Sequence, residues 1–204
     1  MILIPLNLNS LFSKEFKYYD LSEKYNYEIK TWKKKDTNMV LHEFNKIQVT
    51  IINKSDTNKI QKIIVKPETL FGDAYTKRSD VVSYITGKNK KREITDNDFG
   101  DFIVADFNFD GLEDIAIKWE TGGNGGPLYE FYIQDSTGTF HKDKFLTSKV
   151  KFFPGKIDKA NKTLKTYVHA NVYGVNEWVY KLDALTGKWK LIKCNELWKK
   201  GLKK

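Results

Sequence analysis

Cysteine is almost absent from this sequence, and its scarcity excludes two ways of holding a fold together. Cys194 is the single cysteine, so no disulfide can form within the chain and no cysteine-based zinc site is available. A chain without paired thiols fits an oxidising or a reducing compartment equally well. We expect Cys194 itself to act as a small, buried apolar residue.

Long apolar runs are missing as well. The sequence has no stretch of about 18 apolar residues, so it predicts no transmembrane segment. Hydrophobic residues make up 40% of the chain and charged residues 30%, a composition that excludes a disordered tail. The 204 residues are enough for one substantial core, and we expect a single domain.

The first 13 residues differ from the rest of the chain. Residues 1–13 are apolar and end in small residues, and a charged segment begins abruptly at Lys14. They resemble either the back half of a signal peptide that lacks its basic start or an ordinary N-terminal strand. Residues 14–204 are then the single predicted domain. The signal-peptide interpretation predicts an extracytoplasmic protein, in the periplasm or at the cell surface.

Basic charge is in excess, which raises the question of a nucleic-acid partner. Lysine and arginine number 35 against 26 acidic residues, for a net charge of +9. The lysines are scattered and often alternate with apolar residues, as in 188–193, which is typical of solvated strand faces. We therefore predict no nucleic-acid site.

Aromatic residues are abundant and fall into short alternating runs separated by Asn, Gly, Asp and Lys, the pattern of strands and turns. No segment sustains helical periodicity. The sequence predicts an all-β fold with little helix, in which about ten short antiparallel strands form a sandwich, a barrel or a propeller-like arrangement. Residues 53–58 and 185–187 are predicted hairpin loops. The predicted strands are 25–32, 46–52, 60–65, 81–85, 102–106, 115–119, 129–133, 163–172, 177–182 and 188–193.

One short loop carries most of the chemistry. Asp106, Asn108, Asp110 and Asp114 occupy its first, third, fifth and ninth places. Calcium takes about six to eight oxygen ligands, and a coil that turns every second side chain inward supplies them. The backbone carbonyl of Leu112 would take the seventh place. We predict that these five residues bind calcium; the alternative is a polar turn in which Asp and Asn side chains cap their own backbone.

Two further positions define the type of loop. Gly111 is sixth, where the backbone must turn sharply. Ile117 is twelfth, where a helical EF-hand places a glutamate, so the loop is not a complete EF-hand. The flanking segments have the residue types of strands, and the sequence therefore predicts a calcium-clamped β-hairpin. Magnesium fits less well because it keeps more of its waters.

The loop lies in a stretch that has acids but no bases. Residues 93–117 contain no lysine or arginine, although an even spread would place roughly four there. Acids without internal partners repel each other, so we expect an external cation to neutralise them. The eight acidic residues are Glu93, Asp96, Asp98, Asp101, Asp106, Asp110, Glu113 and Asp114.

The string from Val104 to Ile115, Val-Ala-Asp-Phe-Asn-Phe-Asp-Gly-Leu-Glu-Asp-Ile, is followed by Gly-Gly at 122–123, Tyr-Glu-Phe-Tyr-Ile at 129–133 and Thr-Gly-Thr-Phe at 137–140. This arrangement resembles calcium loops of the FG-GAP and VCBS type. More narrowly, it is similar to a bacterial family of exported β proteins and lipoproteins whose best-understood member is an immunity protein against a secreted peptidoglycan hydrolase. The resemblance covers residues 46–193, and its specific part is the Asp/Asn/Asp-Gly/Asp core.

This resemblance implies a site and a function. The site is a calcium ion held by Asp106, Asn108, Asp110, Leu112 and Asp114. The function is that of an exported, non-catalytic protein that binds a protein partner, such as a cell-wall hydrolase that it inhibits. The sequence has no lipobox cysteine near its start, so a lipid anchor does not follow from the resemblance. The oligomeric state stays open.

Two other functions stay open from the residues alone. Exposed Tyr and Trp side chains among scattered lysines suit a module that binds cell-wall glycan. Acid pairs that meet only in space would suit an uncharacterised hydrolase. We predict no catalytic residues, because His42, His141 and His169 have no metal-protease spacing and no Gly-x-Ser-x-Gly motif occurs. Residues 122–126 are predicted to be a long hairpin loop, whose small residues would alternatively let a partner approach the backbone.

Overall fold

The computed structural model describes residues 11–34, 43–70, 73–170 and 174–198, which form three β-sheets. Within these residues there are thirteen strands, a 3-10 turn at Arg78–Asp80 and one turn of π-helix at Leu146–Val150. The predicted all-β class with little helix is confirmed. The sheets pack in layers like a sandwich, one of the three arrangements that the sequence left open.

The first sheet is an antiparallel meander of four strands in chain order. Its third strand shows why the segment is extended, since Ile47, Val49 and Ile51 are buried on one face and polar residues alternate with them. The predicted hairpin loop after that strand is confirmed, with the amide oxygen of Asn53 accepting the backbone N–H of Ser55 at 2.8 Å. The strands are β1 (Leu11–Tyr18), β2 (Tyr25–Lys34), β3 (Glu43–Asn53) and β4 (Ile60–Val65).

The second sheet has five strands in chain order and lies between the other two. Its first two strands pair in parallel and the remaining neighbours are antiparallel. The strands are β5 (Val81–Ser83), β6 (Phe102–Ala105), β7 (Asp114–Glu120), β8 (Leu128–Gln134) and β9 (Phe140–Lys142).

The third sheet is another antiparallel meander of four strands. Its last two strands are joined by the predicted loop 185–187, and the backbone N–H of Asp183 closes this hairpin on the carbonyl of Lys188 at 2.9 Å. The strands are β10 (Lys156–Asp158), β11 (Thr163–His169), β12 (Gly174–Leu182) and β13 (Trp189–Trp198).

The central sheet is covered on both faces, and its sequence shows why. All four residues of β6 are buried. Phe102 and Val104 enter the core against the first sheet, whereas Ile103 and Ala105 enter the core against the third. Successive side chains of a strand point to opposite faces, so a strand between two cores must be apolar at every position. The apolar runs of β6 and β7 satisfy this requirement.

Three strands were missed by the sequence patterns. β9 and β10 have three residues each, which is too short for a visible alternation. β1 was not predicted as a strand of the domain. The alternative of an N-terminal strand in residues 1–13 overlaps its first three residues, 11–13. Residues 1–10 lie outside the described part of the chain. The parallel pairing of β5 with β6 was also unexpected. It arises because the chain crosses back over residues 84–101 before entering β6.

The expectation for Cys194 was wrong. Its side chain is exposed on β13, because this strand forms the end of the third sheet and extends beyond the core. None of the helical segments in the described ranges is both long and apolar enough to cross a membrane.

Candidate functional site

The predicted calcium loop is the turn between β6 and β7, which are the second and third of the five strands of the central sheet. Its alternating sequence divides it into two faces. Phe107 and Phe109 are buried in the core against the third sheet, where the Phe107 ring meets that of Phe131 edge-on at 5.1 Å and the Phe109 ring lies 6.0 Å from that of Trp189. These aromatic anchors leave the intervening polar side chains on the opposite side of the loop.

The loop is closed by its own first residue. The carboxylate of Asp106 accepts the backbone N–H of Asp110 through Oδ1 and that of Gly111 through Oδ2, both at 3.1 Å. Phe109 and Gly111 have positive φ angles, 62° and 86°. Left-handed backbone costs little for glycine, so Gly111 has the role in the turn that the sequence predicted for it.

Asn108 and Asp110 complete the exposed side of the loop. The amide oxygen of Asn108 accepts the N–H of Asp110 at 3.1 Å, and its amide nitrogen donates to Oδ2 of Asp110 at 2.7 Å. The other oxygen of Asp110 accepts the N–H of Leu112 at 2.7 Å. The hydrogen bonds thus hold Asp106, Asn108 and Asp110 side by side.

Asp114 connects the loop to the central sheet through hydrogen bonds. It is fully buried at the first position of β7, and its Oδ2 accepts the backbone N–H of Phe107 at 2.7 Å and of Asn108 at 3.3 Å. Its Oδ1 accepts the N–H of Gln134 on β8 at 3.0 Å. Burial raises the pKa of Asp114 to about 8, the charge of Asp110 adds to the rise, and the N–H donors act against it.

A lysine from the third sheet provides the positive charge beside this loop. The ammonium of Lys159, in the turn after β10, lies 3.3 Å from Oδ2 of Asp106 and is largely exposed. Among the described residues, no ion pair reaches Asp110 or Asp114. No sequence pattern predicts this contact, since Lys159 and Asp106 are 53 positions apart.

The side-chain oxygens of the four predicted ligands still have acceptor positions that no hydrogen bond uses. A carboxylate offers about four acceptor positions and an amide oxygen two. The hydrogen bonds above leave at least one position free on each of Asp106, Asn108, Asp110 and Asp114. Within the described ranges, no group of three or more His, Cys, Asp or Glu side chains is placed to hold a metal ion, so the carboxylates of Asp106, Asp110 and Asp114 do not converge on one point in this structure. Calcium binding here would require these carboxylates to move together, with the Asn108 amide oxygen and the Leu112 carbonyl as further ligands.

Glu113, which the sequence did not assign a role, lies beside the loop on the face toward the first sheet. It is buried, burial raises its pKa, and its Oε2 has no hydrogen-bond partner within the described structure. The Tyr27 hydroxyl is also buried without a partner. Burial raises the pKa of the Tyr27 hydroxyl, and the charges of Glu113 and Asp114 add to that rise.

The expectation that all acids of residues 93–117 need an external cation was wrong. The ammonium of Lys118 on β7 lies 2.7 Å from carboxylate oxygens of both Asp98 and Asp101. Arg92 contacts Asp98 at 3.8 Å. Both basic residues lie immediately outside the stretch without lysine or arginine, at either end. A lysine directly after the apolar run 115–117 of β7 was the available signal, because a lysine in a buried strand needs an acidic partner.

The same cluster borders a cleft of about 700 Å³, with Asp96, Asp98 and His169 in its lining. The loop 122–126 forms one wall and joins β7 to β8, which confirms the predicted hairpin loop. A Cβ atom on Gly126 would lie 2.6 Å from the carbonyl oxygen of Asp96, so this position requires glycine for close packing.

The histidines are not brought together. His141 is exposed and lies 2.8 Å from the carboxylate of Asp135, whereas His169 lines the cleft. His42 lies outside the described residues. The structure thus offers no histidine pair for metal or acid-base chemistry among the residues it describes.

Comparisons with known proteins locate the fold only. No protein-family model matches the chain, and no curated protein matches it. A solved structure described as a Xanthomonas type IV secretion system related protein is similar, with a TM-score of 0.58. It shares 18% sequence identity, over 95% of this chain and 84% of that chain. At this identity the likeness shows a shared fold.

Proposed function

We propose that the chain is a non-catalytic, extracytoplasmic domain that binds one calcium ion in the loop 106–114 and uses the stabilised surface to bind a protein partner. The observation that carries the proposal is the position of Asp114. Its carboxylate is buried with both oxygens accepting N–H groups, as a charged carboxylate does, yet no basic side chain in the described structure pairs with it.

Calcium would be held by Asp106, Asn108, Asp110 and Asp114 and by the carbonyl of Leu112. When bound, the ion supplies the positive charge that makes ionisation of the buried carboxylate favourable. The protein residues supply the rest: Phe107 and Phe109 anchor the loop, and Gly111 turns it. The consequence is a fixed hairpin between β6 and β7, in the sheet that carries both cores.

A weak calcium site suits the outside of a cell. Extracellular calcium modules commonly have dissociation constants of about 0.1 to 1 mM, and millimolar extracellular calcium fills them. A loop with a single exposed aspartate, Asp110, and a competing lysine belongs to this range. The site therefore favours an extracytoplasmic location.

Non-catalytic function is favoured by the way the cleft acids are used. A glycoside hydrolase needs one carboxyl group that can donate a proton and one that is free to act as base or nucleophile. Of the two acids in the cleft lining, Asp98 is held by Lys118 in an ion pair that also includes the buried Asp101. Asp96 alone does not make the pair of carboxyl groups that such an enzyme needs. Burial lowers the pKa of Lys118, but the carboxylates of Asp101 and Asp98 raise it by more. The pKa therefore lies above that of an ordinary lysine, and the ammonium stays charged.

The proposed partner is a cell-wall hydrolase, which the chain would inhibit. The loop's resemblance to an immunity family supports this class, and the fold shared with a secretion-related protein agrees with a partner outside the cytoplasm. Such hydrolases are often basic, whereas this chain has a net charge of +9. Contact would therefore use the segment just before β6, here called the acidic side, where Glu93 and Asp96 are exposed.

Glycan binding has less support in the structure. A glycan site stacks sugar rings on exposed aromatic faces. Among the described tryptophans, Trp189 is buried and Trp32, Trp119 and Trp178 are half-buried. The large exposed hydrophobic residues of the described ranges include one aromatic, Tyr19.

Thermal unfolding with calcium and with a chelator tests the metal site. We expect calcium to raise the melting temperature by about 5 to 10 °C when it is present at about 100 times its dissociation constant. The variant Asp110→Asn should lose this response. Asp183→Asn is the matched control, because its carboxylate also accepts backbone N–H groups in an exposed turn, at 3.0 Å from Leu185 and 3.1 Å from Thr186. Equal responses of the two variants would contradict the site.

Inhibition assays test the partner. Calcium-loaded protein should inhibit a basic cell-wall hydrolase, and the double charge reversal Glu93→Lys with Asp96→Lys should weaken inhibition by tenfold or more, about 1.4 kcal/mol. The matched control reverses two exposed acids elsewhere, Glu23 and Glu68. Undiminished inhibition by the first double variant would show that the acidic side is not the contact, and absence of inhibition across a hydrolase panel would exclude this partner class.

A further inference from the structure

The outer face of the third sheet carries two neighbouring rows of residues that are rich in lysine. This face is the outer one because the residues that alternate with the rows, such as Leu164 and Tyr180, enter the core against the second sheet. We call it the lysine face. The first row crosses all four strands at Lys156, Lys165, Val179 and Lys193, and the second crosses them at Asp158, Thr163, Lys181 and Lys190.

Like charges lie directly opposite each other at two places on the lysine face. Lys156 pairs in register with Lys165, and Lys181 pairs with Lys190. Like charges opposite each other on neighbouring strands destabilise a sheet. Across the residues that the structure describes, no ion pair reaches Lys156, Lys165 or Lys181. The face therefore offers positive charge to an anionic partner.

Acidic residues balance only part of this charge. Glu177 lies 3.8 Å from Lys193, and Asp183 lies 3.7 Å from Lys190. Asp158 is the one acid within the two rows. The five lysines of the rows thus outnumber the three acids on or beside the lysine face, and an excess of positive charge remains.

The first sheet has the opposite arrangement on its outer face. Lys17 lies opposite Glu28, with 2.7 Å between the ammonium and the carboxylate, and Lys30 lies opposite Glu15 at 3.6 Å. Such pairs stabilise a sheet without any partner. Opposed lysines are therefore not a general property of the strands in this chain.

An apolar groove adjoins the lysine face, between the turn after β10 and the β12–β13 hairpin. Its volume is about 580 Å³, and its lining includes Lys181, Lys190, Leu185 and Ile192. Leu185 is 98% exposed and Ile192 is 54% exposed. The hairpin holds Leu185 in this position, since the Leu185 N–H donates to the carboxylate of Asp183 at 3.0 Å. Positive charge and exposed apolar side chains thus share one surface.

We propose that the lysine face and this groove bind the surface of an anionic phospholipid membrane, with the lysines at the phosphate headgroups and Leu185 in the apolar layer beneath them. A bilayer presents its phosphates over an extended surface, and the two rows span three strand spacings, roughly 14 Å. Basic and apolar side chains together bind such an interface. A soluble polyanion would contact the lysines but give Leu185 no apolar layer to enter. Neither contact uses the calcium loop, so membrane binding does not depend on the ion.

Sedimentation with vesicles tests the membrane contact, with a chelator present so that calcium does not bridge protein and lipid. The full chain should bind phosphatidylcholine vesicles that contain phosphatidylglycerol, and should not bind vesicles of phosphatidylcholine alone. Lys181→Gln with Lys190→Gln should weaken binding by about tenfold or more. The matched control is Lys59→Gln with Lys62→Gln, which changes net charge equally at two exposed lysines beside and on β4. No binding by the wild-type chain, or equal losses in the two double variants, would overturn the proposal.

Leu185→Ser separates a membrane from a soluble polyanion such as heparin or duplex DNA. The variant should bind the vesicles about threefold or more weakly, because it removes the side chain that enters the apolar layer. Its binding to either polyanion should equal that of the wild-type chain. Ile64→Ser, at an isoleucine 56% exposed on β4, is the matched control and should bind vesicles as the wild-type chain does. Unchanged vesicle binding by Leu185→Ser would show that the lysines attract polyanions in general, and would overturn the membrane assignment.

Discussion

The two ends of the β6–β7 hairpin hold acids from the same short stretch and neutralise them differently. Asp101 precedes β6 and Asp106 follows it, five residues or roughly 16 Å apart along the strand. At the Asp101 end, Lys118 fills the space between carboxylates. At the Asp106 end, one exposed lysine, Lys159, approaches from another sheet. The first end is complete as an ion-pair cluster, and the second is proposed to be completed by calcium.

This difference arises because β7 contributes a base at one end of the hairpin and an acid at the other. Lys118 projects from β7 next to Asp101, whose carbonyl accepts the Lys118 backbone N–H at 2.9 Å. At the other end, β7 begins with Asp114 itself, so the strand contributes another acid instead of a base. A buried charge needs a partner of opposite sign, and the two ends obtain it from different sources.

The largest expected effect is at the internally neutralised end. Lys118→Met should destabilise the fold by about 3 to 5 kcal/mol, because it leaves the buried Asp101 without its partner. Calcium should not restore this loss. Urea unfolding measures it, with the exposed Lys144→Met as control, expected within about 0.5 kcal/mol of wild type. If Lys118→Met loses less stability than Lys144→Met, or if calcium restores its stability fully, then the two ends are not neutralised in different ways.

A smaller effect should come from pH at the calcium end. Asp114 has a pKa of about 8 in the fold and about 3.9 when unfolded, so between these values the folded state binds a proton that the unfolded state has lost. Metal-free protein should therefore lose stability as pH rises through this window. Calcium replaces the proton, so the gain from saturating calcium should grow from near zero at about pH 5 to about 2 to 3 kcal/mol at about pH 8.

Unfolding of metal-free and calcium-loaded protein across this pH range measures that gain. A gain that is constant or that shrinks with rising pH would contradict the role of Asp114.

The smallest effect should come from Lys159. Its ammonium occupies an acceptor position of Asp106 and repels a nearby divalent ion, so Lys159→Met should tighten calcium binding by roughly twofold to fivefold. Lys159→Arg keeps the charge and should bind calcium as wild type does, and the nearby exposed Lys156→Met controls for net charge. Weaker calcium binding by Lys159→Met would show that this lysine supports the site.

The strands were predictable where the sequence alternates over at least five or six residues. β4 was predicted with both bounds correct, because Ile63 and Val65 are buried and polar or exposed residues separate them. The continuous apolar run of β6 was predicted as a strand, and the structure shows that it lies between two cores. The order of the sheets was not predictable, because their packing depends on contacts between residues far apart in sequence, such as Gln61 with the backbone of Phe140.

The loop was predictable because its residues are close together in sequence. Asp106 to Asp114 are consecutive, so their spacing alone places them in one turn, and the structure joins them by hydrogen bonds. Their surroundings come from elsewhere: Lys159 lies on the third sheet and Gln134 on β8. The stretch 93–117, which has acids but no bases, led to a wrong expectation. It ends one residue short of Arg92 and of Lys118, the bases that neutralise Asp98 and Asp101.

Residue-resolved NMR during a calcium titration tests whether calcium binds at one site in the loop 106–114. The backbone N–H groups of Asp110 and Gly111 donate to Asp106, so they report the loop, whereas those of Leu185 and Thr186 report the Asp183 turn. We expect the loop signals to shift and saturate with a single dissociation constant of about 0.1 to 1 mM, while the signals of the control turn stay unchanged. Loop signals that stay in place at saturating calcium would contradict it.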